Sequence, residues 1–182
     1  MEATTHTVDK SEWERGPWDD EPDMENITTA EGFDALIFRP EWSGNFCGYV
    51  GVPPAHPWHG KEYGDTVQMT EKQATEPVDI DRVSVLSLLA MAAADTDPAE
   101  VARIDCVIRA HGGLTYSGPG RARFGEKPDH WYFGFDCAHA GDLSPAYASK
   151  YGFYGGDDRY RDIDYVRREI ADLSRQLAEV AK

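Results

Sequence analysis

Hydrophobic residues recur along this chain with two periods, one close to two and one close to three and a half, and the change from one to the other marks out its elements. From Phe33 onward, DALIFR and NFCGYVGV read as two strands. Pro40 to Gly44 lie between them, with Ser43 and Gly44 as turn formers, which predicts a hairpin. PPAHPWHGKEYGD is rich in Pro and Gly and predicts a loop, and residues 66–79 carry no clear period. Asp81 can cap a helix through about Ala94, with Val85, Leu88, Leu89 and Ala92 on its apolar side. Asp97, Pro98 and Glu100 then supply a cap, a first-turn proline and a capping-box partner for a second short helix ending near Arg103.

Ile104, Cys106, Ile108 and Ala110 alternate with Asp105, Val107 and Arg109, the period of a strand, which places His111 at its end. HWYFGFD, residues 130–136, predicts an aromatic strand with Asp136 at its terminus, so the glycine-rich stretch before it reads as a connecting loop. The last pattern is helical. Ile163, Val166, Ile170, Leu173, Leu177 and Val180 are spaced by three and four, Asp162 is the cap, and Asp164 with Arg168 and Arg175 with Glu179 are spaced to pair. The whole predicts an α+β fold, a small and mostly antiparallel sheet with a long C-terminal amphipathic helix packed on it.

Charge divides the chain unevenly. The formal net charge is −15, and residues 1–32 hold ten acids against Lys10 and Arg15. Residues 1–30 therefore read as an acidic flexible arm, in which Trp13 and Trp18 could dock on the domain or on a partner, and residues 31–182 as a single α+β domain. Acidity of this degree argues against binding duplex nucleic acid or an anionic membrane surface, while a small anion held by local donors stays allowed. Cys47, Cys106 and Cys137 show no CxxC spacing, no apolar run suits a secretory signal or a membrane span, and a cytoplasmic protein is expected. The long terminal helix could lend a face to a homo-oligomer.

Candidate chemistry gathers between His111 and Asp142, in HGGLTYSGPGRARFGEKPDHWYFGFDCAHAGD. Gly112 and Gly113 could let successive amides converge on an anion, Thr115, Tyr116 and Ser117 add hydroxyl donors, and Arg121 and Arg123 could grip a phosphate or carboxylate as a fork. Tyr116 or Trp131 could stack on a ring. Asp136, His139 and Asp142 are spaced by three. With His111 they could ligate a divalent metal, or form a metal-free acid and base pair, or simply hydrogen-bond within the fold. The two turns could equally be plain surface turns, and Trp131 an ordinary core residue.

GYVGVPPAHPWHGKEY, HGGLTYSG, HWYFGFDCAHAGD and YRDIDYVRREIADLSRQL, taken in that order from Phe46 to Leu177, resemble a family of uncharacterised bacteriophage and prophage proteins. Residues 66–100 and the acidic arm lie outside the resemblance. It implies the cytoplasm of an infected bacterium and a role in evading host defence, where accessory proteins of this size sequester or degrade small signal nucleotides. Three functions remain open on these grounds. The first is sequestration of a small phosphate-bearing, nucleotide-like ligand by His111, Gly112, Gly113, Thr115, Tyr116, Ser117, Arg121, Arg123, Trp131 and Asp136. The second is hydrolysis of such a ligand, with His111, Asp136, His139 and Asp142 as catalytic groups or metal ligands. The third is inhibition of a protein partner through the acidic arm.

Overall fold

A computed structural model describes residues 3–69, 73, 89, 101–152 and 157–181. The fold is α+β. Strands β1 (Ala3–Thr5), β2 (Met24–Thr28), β3 (Asp34–Phe38), β4 (Cys47–Val52), β7 (Tyr116–Pro119) and β8 (Trp131–Asp136) form one antiparallel sheet in the order β1-β2-β3-β4-β8-β7. Strands β5 (Thr66–Gln68) and β6 (Val101–Arg103) pair separately. A short helix, Pro145–Tyr151, precedes the C-terminal helix, Ile163–Val180.

The centre of the sheet depends on glycines facing rings. In the β4–β8 register Gly48 opposes Phe135, Gly51 opposes Tyr132, and Gly134 opposes Tyr49. A Cβ at any of the three would come within 2.6 Å of the opposing ring, so each aromatic lies flat over the space its partner leaves. Every residue of β4 is buried, because the sheet is covered on both faces.

On one face Ile37, Val50, Phe133 and Phe135 pack against Ile163, Val166, Ile170, Leu173 and Leu177 of the C-terminal helix. This is the apolar stripe that the sequence spacing predicts. Asp162 caps the helix by accepting from the Tyr165 amide at 2.7 Å. Asp164 pairs with Arg167 rather than with Arg168, since Arg167 can at the same time reach the buried Glu25 of β2 at 2.6 Å. Arg175 pairs with Asp172, three residues before it. The opposite face carries Leu36, Cys47, Tyr49 and Tyr132, with Met24, Phe38, Tyr116 and Phe124 packed around them.

Several expectations are corrected. The acidic N-terminal segment is part of the sheet: β1 and β2 lie within it, and Trp18 is buried against Tyr160. Its acids are matched by bases of the same fold, within the segment and beyond it. Asp23 meets Lys10 at 2.9 Å and the buried Arg39 at 3.0 Å, and accepts from the amides of Thr7 and Val8. Glu21 meets Arg39 at 2.8 Å, accepts from the Tyr160 hydroxyl, and takes the Ile163 amide at 3.0 Å. Composition alone could not show that these carboxylates have partners far along the chain.

Residues 104–110 do not form a strand. Ile104–Val107 make one helical turn, closed by the Ile108 amide on the Ile104 carbonyl. Ile104 and Ile108 are four apart as well as in the alternating set, so a helical turn buries both equally well, and Asp105 is paired with Arg103 at 2.7 Å. The glycine-rich connection contains an edge strand, β7, and Val101–Arg103 are strand rather than the end of a helix. The helix expected over 81–94 and the capping signal at 97–100 fall outside the described residues except for Leu89, which is helical but exposed rather than on a buried side.

Candidate functional site

The sequence-predicted residues separate into two groups. His111, Thr115, Asp136, His139 and Asp142 come together where β8 ends and the C-terminal helix begins. The segment before His111 is anchored by the buried Ile108 and Ala110, and the Gly113 amide donates to the Ala110 carbonyl to close the turn. After β8 the chain turns at Gly141, and the Asp142 amide returns to the His139 carbonyl at 2.9 Å. Asp142 and Leu143 then bridge to Arg159, which brings Arg161 and Tyr165 to the same place.

At the centre His111 Nε2 lies 2.6 Å from Asp142 Oδ2. A carboxylate only accepts, so Nε2 carries the proton, and in the neutral ring Nδ1 accepts from the Tyr165 hydroxyl at 2.8 Å. Asp142 is also held by Arg161 Nε at 2.8 Å on Oδ1 and by the His139 amide at 3.1 Å on Oδ2. The His139 ring stands 5.5 Å from that of His111, centroid to centroid. Its Nδ1 lies 3.8 Å from Asp142 and 3.9 Å from Asp136, beyond hydrogen-bond reach of either. Asp136 is fixed by the Thr115 hydroxyl at 2.9 Å and the Ala138 amide at 3.1 Å.

Burial alone would push the Asp142 carboxyl up, but the hydrogen bonds from His111 and Arg161 outweigh it and hold the group below the usual carboxylate range. Burial pushes the Tyr165 hydroxyl up to about 12, so it keeps its proton at neutral pH. Asp142 is thus a fixed negative charge and Tyr165 a fixed donor or acceptor, with the two imidazoles lying beside them. His139 is the more open of the two, with 31% of its side chain exposed against 11% for His111. His111, His139 and Asp142 each offer one ligand atom, all within 4.8 Å of one another, so among the described residues these three could hold a metal ion.

The second group lies elsewhere and serves the fold. Arg121 does not offer its fork to a ligand, because Glu126 takes it at 2.9 and 2.7 Å and also accepts from the Arg121 amide at 2.6 Å. Glu126 is only 4% exposed, and the guanidinium rests 4.5 Å from the centre of Tyr49 and 4.7 Å from that of Tyr116. Arg123 is exposed and stacks on Phe124. Tyr116 packs edge-on against Tyr49, whereas Trp131 belongs to the face under the helix and donates to the Lys61 carbonyl at 2.6 Å. No one ring ligand is therefore bracketed by Tyr116 and Trp131. Ser117 donates to Glu62 and accepts from the Tyr63 amide.

The expected anion nest at Gly112 and Gly113 is not formed either. The Gly113 and Thr115 amides go to the carbonyls of Ala110 and Gly134. Gly112 has another use: its φ is +64°, and a Cβ there would sit 2.2 Å from the His139 ring, so the glycine makes room for that imidazole. A cavity of about 220 Å³ on the opposite side, lined by Asn26, Thr28, Asp34, Glu126 and Tyr132 among others, includes none of the histidine cluster.

Tyr165 and Arg161 are the site residues that sequence reasoning missed. Both stand in YRDIDYVRREI, where the cap and the apolar stripe account for the pattern without them. His56 is buried and docks its loop on the last turn of the helix, with Nε2 donating to the Leu177 carbonyl at 2.9 Å. Cys47, Cys106 and Cys137 are buried thiols outside any disulfide, and among the described residues no helix is long and apolar enough to cross a membrane. Compared with known protein families, with curated proteins and with solved structures, the chain matches none.

Proposed function

We propose that the protein hydrolyses a small phosphate-bearing, nucleotide-like ligand at the cluster of His111, His139 and Asp142. The observation that carries this reading is the short His111–Asp142 contact of 2.6 Å with a second, more open imidazole beside it. His139 takes a proton from the attacking water as the new oxygen–phosphorus bond forms, and returns it to the leaving oxygen as the ester bond breaks. Asp136 and Asp142, both within 4 Å of its Nδ1, stabilise the imidazolium in between. Asp142 and Tyr165 fix the ring of His111 from both sides, which makes it a positioning residue for that carboxylate. Arg161 and Arg168 both approach the Tyr165 ring, and they place positive charge where an anionic ligand would enter.

Sequestration without turnover rested chiefly on the glycine-rich turn and the Arg121 fork, and both are engaged within the protein. Inhibition through the acidic arm loses support in the same way, since Glu21, Asp23 and Glu25 are consumed by internal bases.

Incubation with a panel of mononucleotides, cyclic dinucleotides and cyclic ADP-ribose isomers, followed by mass spectrometry of the free and denaturation-released fractions, tests the reading. Loss of one species with appearance of its product is expected, and His139→Ala should slow that conversion by about 100-fold or more. Recovery of an intact ligand only after denaturation would replace hydrolysis with sequestration.

A further inference from the structure

The geometry points to a mononuclear site for a divalent transition metal of the zinc class, ligated by His111 Nε2, His139 Nδ1 and Asp142 Oδ2. The inference rests on the same cluster as the proposed hydrolysis, but not on the identity of the substrate; with an ion bound, His139 Nδ1 would be a ligand, and activating the water would fall to the ion in place of that imidazole. Its first support is the donor set. Two imidazoles and a carboxylate suit zinc and its neighbours, whereas magnesium and calcium are held by oxygen donors.

The second support is the state of His139. Its Nδ1 is buried and has no hydrogen-bond partner among the described residues, although two carboxylates face it at 3.8 and 3.9 Å. A buried ring nitrogen aimed between carboxylates but bonded to neither is costly unless something lies between them, and a cation meets that need. Gly112 clears the space that allows the ring to take this position.

The third support is the outer ring of partners that metal ligands usually have. His111 uses its other nitrogen on Tyr165 at 2.8 Å, and Asp142 uses its other oxygen on Arg161 at 2.8 Å. Ligand atoms on a tetrahedral zinc stand about 3.3 Å apart. The separations from Asp142 Oδ2, 2.6 Å to His111 and 3.8 Å to His139, lie on either side of that value, and the three ligand atoms stand within 4.8 Å of one another.

Binding to the neutral form moves the His111 proton from Nε2 to Nδ1, and the Tyr165 hydroxyl turns from donor to acceptor. No proton leaves the protein in that exchange. Asp136 lies outside the three-ligand group and is placed to accept a hydrogen bond from a metal-bound water.

Metal content after loading with Zn²⁺ and dialysis, together with the visible absorption of the Co²⁺-loaded protein, tests the site without reference to turnover. One ion per chain and a tetrahedral cobalt spectrum are expected. His111→Ala and His139→Ala should each abolish stoichiometric binding, and Tyr165→Phe should weaken it about 10- to 100-fold. His59→Ala, in a loop away from the cluster, serves as the control and should bind as the wild type does.

Absence of saturable Zn²⁺ or Co²⁺ binding by the wild-type protein would overturn the inference, and no variant needs to fold for that result. Undiminished binding by both histidine variants would overturn it as well. Stoichiometric binding with no turnover of any panel member removes the hydrolysis reading alone. Turnover by a wild-type protein that shows no saturable Zn²⁺ or Co²⁺ binding removes the metal alone.

Discussion

A methyl group added at residue 112 would land 2.2 to 2.4 Å from three atoms of the His139 ring, on a backbone already in the left-handed region. Gly141 also has positive φ, but a Cβ there would meet nothing within 4 Å. The two alanine variants should therefore part company. Both should lose about 1–2 kcal/mol for the backbone conformation, measured by denaturant unfolding, but only Gly112→Ala should displace His139 and abolish Zn²⁺ binding. Equal losses of binding in the two would show that the ring does not depend on that space. Arg121 shows the opposite lesson at this scale. A basic residue beside glycines reads as a ligand fork, yet Glu126, five residues on, closes it within the same loop.

The hairpin of β3 and β4 and the aromatic strand β8 were legible as short apolar or aromatic runs, and the C-terminal helix by its cap and one uninterrupted period. The turn at Ile104–Val107 was not, because its isoleucines fit periods of two and of four at once. Strand β7 is YSGP, whose composition reads as a turn, and it is a strand only because β8 lies beside it. The spacing of Asp136, His139 and Asp142 showed the neighbourhood of the site, whereas Tyr165 and Arg161 reach it only through the docking of the helix.

That docking carries a pH dependence through His56. Its Nε2 donates to the Leu177 carbonyl and its Nδ1 accepts from the Trp58 amide, which is the bonding of a neutral ring. Burial lowers the affinity of this imidazole for a proton, so it lies below the usual histidine value of 6.5 while the unfolded chain keeps that value. The stability is fully present above pH 6.5 and is lost as pH falls through the lower folded value. Melting temperatures at about pH 7.5 and 5.5 should fall further for the wild type than for His56→Gln. Equal acid slopes would exclude His56 as the cause.

For the whole molecule, the largest consequence is that residues 1–30 cannot be removed as an appendage. A chain beginning at residue 31 lacks two strands as well as Glu21 and Asp23, and so leaves the fully buried Arg39 guanidinium without its carboxylates. Stranding a buried charge costs about 3–5 kcal/mol, a large part of the 5–15 kcal/mol typical of a domain's stability. The truncated chain should lack near-ultraviolet circular dichroism and dispersed amide resonances, and a native-like spectrum from it would refute the role given to this network. Glu21 also binds the first amide of the C-terminal helix, and Leu173 and Leu177 of that helix complete the core. During synthesis, then, residues 21–39 wait for residues 160–177: the sheet stays uncovered and Arg39 lacks the Tyr160 hydroxyl until the segment of the C-terminal helix has also emerged.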